Sequence, residues 1–175
     1  MNFSNLSNAT KSVLNYSTEI AKKNDNQIIT IFHVLKALIE LKYINDFLNK
    51  TKTDITMLLK KIDSEISNLP KILGERIKIY FSNDITRIFS RSNYFKKKFN
   101  TRSITPKLLF LQILLESEGI IDYLINNSKI NKNEFVKKMD EMSKEEMDTK
   151  NNDNSSLSKY SIDLTKIAKE GKLDP

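Results

Sequence analysis

The most apolar stretch of the chain is residues 104–115, which read Ile-Thr-Pro-Lys-Leu-Leu-Phe-Leu-Gln-Ile-Leu-Leu. Thr105 offers a side-chain oxygen that caps a helix, and Pro106 suits the first helical position, where no backbone N–H is needed. The leucines and isoleucine that follow leave almost no polar face. The pattern therefore predicts a central, buried helix.

Nearly the same pattern occurs 75 positions earlier, in residues 29–39. The aligned pairs are Ile29 with Ile104, Thr30 with Thr105, Leu35 with Phe110, Leu38 with Ile113 and Ile39 with Leu114. This agreement indicates an internal duplication, so we expect two copies of one structural unit.

Apolar positions at helical spacing predict four helices in each copy. In the first copy they are a helix capped by Ser4 or Ser7 that ends near residues 23–26, the buried helix from Thr30 to about Leu41, a short helix through residues 44–48, and a fourth helix capped by Thr53 or Asp54. In the second copy they are a helix from Ser82 or Asp84, the buried helix from Thr105, a helix through residues 120–124, and a last helix capped by Asn131 with Glu134 in a capping box.

The predicted fold class is all-α, with two tandem four-helix repeats packed around an approximate twofold axis. Each repeat has amphipathic helices whose apolar faces need a partner, and the other copy supplies it. A strand-based fold is excluded, because no stretch shows sustained alternation of apolar and polar residues. The predicted domain is residues 1–142, comprising repeat one (1–68), a connector (69–81) that begins at the break around Pro70, and repeat two (82–142).

After the domain, residues 143–156 are polar and without apolar periodicity, which predicts a flexible linker. Apolar residues return in 157–175, where we expect order again. A chain that stops just after a linker and a helical start suggests a piece of a larger protein.

Composition narrows the classes of function. Three Gly and three Pro favour helices, and the absence of Cys excludes disulfides, thiolate zinc sites and a cysteine nucleophile. No apolar run approaches transmembrane length, and the polar N-terminus is not a signal peptide. His33 is the only histidine, so we expect a hydrogen-bonded core residue rather than a metal ligand, and no catalytic constellation is evident.

The formal net charge of +7 is unevenly distributed: residues 1–110 hold 19 Lys and Arg against 9 Asp and Glu, and residues 111–175 hold 10 against 13. Lys, Asn and Ile make up more than a third of the chain, as in proteins from AT-rich genomes, so we interpret the charge mainly as a solvated surface. The run Phe95–Phe99 with Arg102 has the composition of a nucleic-acid patch. We favour a solvated helix end with Phe95 in the core.

Several short motifs carry a resemblance to a known family. Residues 160–165, Ala168 and residues 171–175 (Gly-Lys-Leu-Asp-Pro) resemble the entry to the first ATPase module of the ClpB-type AAA+ disaggregase family. The segment Asp-Asn-Gln at 25–27, with Ile29 and His33, is similar to its first repeat, and Leu-Pro-Lys-Ile-Leu-Gly at 69–74 is similar to its inter-repeat connector. The resemblance covers essentially the whole chain.

This resemblance implies a substrate-binding domain tethered to a hexameric, ATP-driven unfolding ring. Its expected partners are unfolded or aggregated proteins, the ATPase ring of its own parent chain and a co-chaperone system, with neither nucleic acid nor membrane among them. The resemblance places ATP and Mg in the ATPase modules of the parent. No cofactor is expected in this segment, because the surroundings of Gly171 and Lys172 lack the phosphate-loop pattern.

Two rival functions stay open. One is an adaptor-docking domain of a ClpC- or ClpA-type unfoldase that feeds a protease, which would have the same architecture. The other is a free-standing nucleic-acid binder, which would need retention on nucleic acid with a steep salt dependence. The compartment is equally open: a plastid-like organelle such as an apicoplast, a mitochondrion or the cytoplasm, with secretion not expected.

The resemblance also implies a substrate groove. The matching positions are Ser7, Leu14, Phe89, Thr101, Lys107 and Leu108. In the family, the positions of Thr101 and Lys107 commonly carry acidic residues. With Lys96, Lys97, Lys98 and Arg102 nearby, we expect the rim of this groove to be basic instead.

Overall fold

The computed structural model of the chain describes residues 3–75, 77–116 and 119–148. Within them the helices are α1 (Asn8–Lys23), α2 (Ile31–Ile39), α3 (Lys42–Lys50), α4 (Ile55–Ser67), α5 (Asn83–Lys98), α6 (Pro106–Glu116), α7 (Gly119–Asn127) and α8 (Lys132–Asp148). A short 3-10 helix (Phe3–Asn5) precedes them, and two short strands are β1 (Ile28–Ile29) and β2 (Tyr80–Phe81). The predicted all-α fold of two four-helix repeats is confirmed.

The first and the last helix of each repeat begin with equivalent caps. In each case a side-chain oxygen accepts a hydrogen bond from the backbone N–H three residues on, which satisfies a helical N–H that has no partner within the helix. The pairs are Ser7 with Thr10 at 3.1 Å for α1, Ser82 with Ile85 at 3.3 Å for α5, Asp54 with Met57 at 3.0 Å for α4, and Asn131 with Glu134 at 3.0 Å for α8. The internal duplication of the sequence is therefore also present in the helix caps.

The helix ends repeat as well. Asp25 after α1 and Asn100 after α5 have φ values of 57° and 52°, and Lys52 after α3 and Lys129 after α7 both have 61°. A left-handed residue just beyond a helix lets the backbone turn while the last carbonyls keep their hydrogen bonds. The separation is 75 residues for the first pair and 77 for the second, as a small loop insertion in the second copy would produce.

The repeats are joined by crossed backbone contacts. Strand β1 of repeat one pairs in parallel with β2, which leads into repeat two, and the Ser82 N–H donates to the Ile29 carbonyl at 2.9 Å. At the equivalent place, Leu6 forms a bridge with Ile104, and the Ser7 N–H donates to the Ile104 carbonyl at 3.1 Å. Each strand has only two residues, which is too short to show alternation in the sequence, and the fold remains all-α.

One interior serves both repeats. Three aligned pairs of α2 and α6 are at most 1% exposed, namely Leu35 with Phe110, Leu38 with Ile113 and Ile39 with Leu114. Phe135 of α8 packs edge-to-face against Phe47 of α3 and Phe110 of α6, with ring centroids 5.0 Å apart in both pairs. This aromatic cluster therefore spans the two copies.

The ends of two helices differ from the sequence prediction. Leu115 is 50% exposed, so the last turn of α6 emerges from the core. Helix α8 continues to Asp148, beyond the predicted domain end at 142, because residues 144–147 are Lys, Glu, Glu and Met, which all favour helix. The rest of the predicted linker and the whole of residues 157–175 lie outside the described residues.

Candidate functional site

Ser7 lies where the two repeats meet, at the start of α1. Its backbone N–H donates to the Ile104 carbonyl, which also accepts the Thr10 hydroxyl at 2.7 Å. The Ser7 hydroxyl lies 2.9 Å from that of Thr10 and accepts the Thr10 backbone N–H. Ser7 is therefore a helix cap and also part of the inter-repeat junction, which we call the Ser7 junction (Ser7, Thr10 and Ile104).

The cap role of Ser7 gives a direct test. We expect Ser7→Ala to lower the free energy of unfolding by about 1 kcal/mol, and Ser82→Ala, the equivalent change in repeat two, to do the same. Ser90→Ala, at an exposed position of α5, is the control and should change stability by less than about 0.5 kcal/mol in urea denaturation. Loss at one cap without loss at the other would contradict their equivalence.

The three apolar groove candidates are core residues. Leu14, Phe89 and Leu108 are 3%, 4% and 0% exposed and belong to the shared hydrophobic cluster. In this conformation they offer almost no apolar surface to a ligand. The structure therefore shows no exposed apolar surface at these three residues for the binding role that was predicted for them.

Thr101 and Lys107 are positioned by different contacts. Thr101 follows α5, where its N–H donates to the Lys96 carbonyl and its hydroxyl to the Ser103 carbonyl, both at 3.0 Å. Ser103 precedes Ile104, so Thr101 lies beside the Ser7 junction. The Lys107 ammonium lies 4.0 Å from the centroid of the Tyr43 ring in repeat one. Lys107 thus forms a cation–π contact across the two copies.

Exposed apolar residues that the sequence pattern did not identify occur in the β1–β2 ladder and in the connector that leads to it. These residues, which we call the connector face, are Ile28 (51% exposed), Ile72 (40%), Leu73 (82%) and Tyr80 (48%). Ile28 and Tyr80 are register partners in the β1–β2 pair. The Ile72 N–H donates to the Asp25 carbonyl at 2.8 Å, which holds the connector against the end of α1. The sequence feature that indicates this face is the occurrence of apolar residues in the connector, a segment without helical periodicity.

His33 is a buried structural residue, as predicted. Its Nδ1 accepts the Thr30 N–H at 2.9 Å, so Nε2 carries the proton and donates to Asn26 Oδ1 at 3.0 Å. The Asn26 amide in turn donates to the Pro70 carbonyl at 3.3 Å. Burial lowers the pKa of His33 to about 4, because the charged imidazolium is poorly solvated in the core. The network ties the connector to repeat one.

Neither a metal-binding cluster nor a membrane-spanning helix is present among the described residues. Among them, no group of three or more histidine, aspartate or glutamate side chains could hold a metal ion. Within the same part of the chain, no helix is both long and apolar enough to span a bilayer.

Comparison with known proteins gives a consistent result. Residues 5–128 match the family described as the Clp repeat (R) N-terminal domain. A chaperone protein ClpB from Rickettsia felis is 29% identical over 181 aligned positions, covering 100% of this chain and 21% of the relative. The chloroplastic chaperone protein ClpB3 of Arabidopsis thaliana is 27% identical, covering 91% of this chain and 17% of the relative.

Among solved structures, the Hsp104 N-terminal domain from Candida albicans is similar, with a TM-score of 0.67 and 16% identity. The match covers 79% of this chain and 91% of that domain. At this identity the likeness establishes the fold. The chain spans about a fifth of the length of the curated ClpB relatives that it matches.

Proposed function

Because the chain belongs to the Clp repeat (R) N-terminal domain family, we propose that it is the substrate-binding N-terminal domain of a ClpB-type, ATP-dependent protein disaggregase. One observation carries this proposal. The similarity to ClpB covers the whole chain, whereas the family match ends at residue 128, so α8 and the residues after it also align with a ClpB. This favours the disaggregase over the adaptor-docking alternative.

The proposed task is the capture of exposed apolar segments of unfolded proteins. The connector face supports it, because four large apolar side chains are exposed on one short stretch and its ladder partner. Burying roughly 300 Å² of apolar surface at about 25 cal/mol per Å² stabilises a complex by about 7–8 kcal/mol before association costs. Those costs offset most of it, so binding should be micromolar or weaker. Weak binding suits a domain that must release its substrate.

The wider machine is part of the same proposal. The domain would pass captured segments to a hexameric ring built by the ATPase modules of the parent chain, which would hold ATP and Mg, and a co-chaperone system would deliver aggregates. As a Clp N-terminal domain the segment itself is a helical binding domain rather than a catalytic one.

The test uses the 175-residue chain and a dye-labelled, unstructured polypeptide of zero net charge with regularly spaced leucines. We expect saturable binding in the micromolar range or weaker that persists at high salt, and no binding to a native protein. Ile72→Ser with Leu73→Ser should weaken binding at least about fivefold, because it removes apolar surface from the connector face. Tyr123→Ser, at a 59% exposed position of α7, is the matched control and should leave binding unchanged.

Two results would contradict the proposal. One is a chain that ignores every unfolded polypeptide while remaining folded by circular dichroism. The other is an equal loss of binding in the connector-face variant and the Tyr123 control, which would show that the apolar capture has no defined location.

A further inference from the structure

The net charge of the chain is concentrated in residues 85–115, within the hairpin of α5 and α6, whose two acidic residues, Asp84 and Glu116, lie at its ends. Residues 85–115 contain seven cationic side chains and no Asp or Glu, namely Arg87, Arg91, Lys96, Lys97, Lys98, Arg102 and Lys107. The rest of the chain holds 22 cationic and 22 acidic residues and is balanced. Three of the four arginines of the chain lie in this hairpin. An excess of Lys caused by an AT-rich gene does not explain that placement.

The exposed side of α5 carries much of this charge. Arg87, Arg91, Tyr94 and Lys98 follow one another at spacings of four, three and four residues, so they lie on one face of the helix. All four are exposed, and Tyr94 is 65% exposed. Arg87 also pairs with Asp84 at 3.2 Å, at the beginning of the helix. Toward its C-terminal end the face is cationic and aromatic.

The fold does not require this pattern. The equivalent positions on α1, 75 residues earlier, are Ser12, Tyr16, Glu19 and Lys23. Of these α1 residues, Ser12, Tyr16 and Glu19 are half-buried and Tyr16 packs against the core, whereas all four α5 residues are exposed. The exposed cationic face is therefore a feature of α5 that α1 does not repeat.

The charge continues from α5 toward the Ser7 junction. Lys97, Lys98 and Arg102 are exposed at the helix end and in the loop after it. Within the described residues, no ion pair involves these three side chains. The Thr101 N–H donates to the Lys96 carbonyl, which brings the loop back toward Ile104. We call Arg91, Tyr94, Lys97, Lys98 and Arg102 the basic face.

We propose that the basic face binds acidic segments of unfolded polypeptides, so that this domain prefers substrates in which Asp and Glu lie among apolar residues. The inference rests on the proposed function, which supplies the unfolded polypeptide as the class of ligand. Charge complementarity supplies the preference, since unlike charges across an interface favour encounter and disfavour basic competitors.

Nucleic acid fits the face less well. Binding of single strands combines a positive groove with several aromatic side chains on which bases stack. Phe95 and Phe99, which flank the lysine run, are only 8% and 6% exposed, so they are not available for stacking. Tyr94 is the exposed aromatic residue on the basic face. An extended acidic peptide needs no stacking platform.

The experiment compares three unstructured peptides with the same leucine spacing, whose spacer residues are Glu, Gln or Lys. We expect the 175-residue chain to bind the Glu peptide about tenfold more tightly than the Lys peptide at low ionic strength. The ratio should shrink in ~1 M salt, where the Debye length falls to about 3 Å. Arg91→Glu with Lys98→Glu should abolish the ratio and leave affinity for the Gln peptide unchanged.

The matched control is Lys11→Glu with Lys23→Glu, at exposed positions of α1, which changes the net charge equally. It should keep most of the preference, and an equal loss in both variants would overturn the localisation to α5. Equal affinity for all three peptides would overturn the preference and leave the proposed function standing. A folded chain that bound none of the three peptides would overturn both the preference and the proposed function. Tight binding of a single-stranded oligonucleotide through the same residues, with no preference for the Glu peptide, would replace it with a nucleic-acid role.

Discussion

Phe135→Ala should destabilise both repeats together, lowering the free energy of unfolding by about 3–5 kcal/mol. Phe135 is fully buried and contacts Phe47 of repeat one and Phe110 of repeat two, with both ring centroids at 5.0 Å. Truncation removes a large apolar side chain, leaves a cavity and breaks two edge-to-face pairs, each of which contributes about 0.5–1.5 kcal/mol. Urea denaturation followed by circular dichroism measures the loss.

Lys137→Ala, two residues further along the same helix and exposed, is the control for changes to α8. It should shift stability by less than about 0.5 kcal/mol. The shared interior predicts a single transition in the Phe135 variant. A loss below about 1 kcal/mol, or a second transition in which repeat one survives, would show that the cluster does not join the copies.

The second large effect is a loss of stability in weak acid that depends on His33. Its pKa falls from 6.5 to about 4 on folding, so the unfolded chain binds the proton more readily between these values. The contribution of neutral His33 to the free energy of unfolding is therefore complete above about pH 6.5. It decreases as the pH falls toward 4 and changes no further below pH 4. Since one pKa unit corresponds to about 1.36 kcal/mol, the full effect is roughly 3 kcal/mol.

His33→Gln isolates this contribution from the carboxylates that titrate in the same range. Glutamine at this position accepts the Thr30 N–H in a capping box and does not titrate. We expect the slope of unfolding free energy between pH 4 and 6.5 to be smaller in the variant, with the difference between variant and natural chain growing toward pH 4. Identical slopes in urea titrations across this range would contradict a buried neutral histidine.

The core residues could be predicted from the sequence because the duplication shows the same apolar positions twice. Aligned pairs such as Leu38 and Ile113 need burial in both copies, and both are at most 1% exposed. The helix caps could also be predicted from the sequence, because Asp54 and Asn131 precede apolar periodic stretches and cap through their side-chain oxygens. Local chemistry of this kind does not depend on how the copies pack.

Features that depend on packing were harder to predict. The family resemblance marked Phe89 and Leu108 for the groove, but their burial is set by neighbours distant in sequence. The contact of Lys107 with Tyr43 joins residues 64 positions apart and needs the repeats in place. The exposure of Leu73 is equally invisible in sequence, because an apolar residue in a connector is compatible with either burial or solvent.

The account depends on two copies of a four-helix unit closing around one interior. Native-state hydrogen exchange tests this directly at the amides of residues 34–38 in α2 and 109–113 in α6, which lie at equivalent positions of the two repeats. We predict that the slowest amides of both helices open with the same free energy, within about 1 kcal/mol, because both exchange through global unfolding. Opening free energies that differ by more than about 3 kcal/mol would mean that one repeat unfolds while the other stays closed, and would contradict the account.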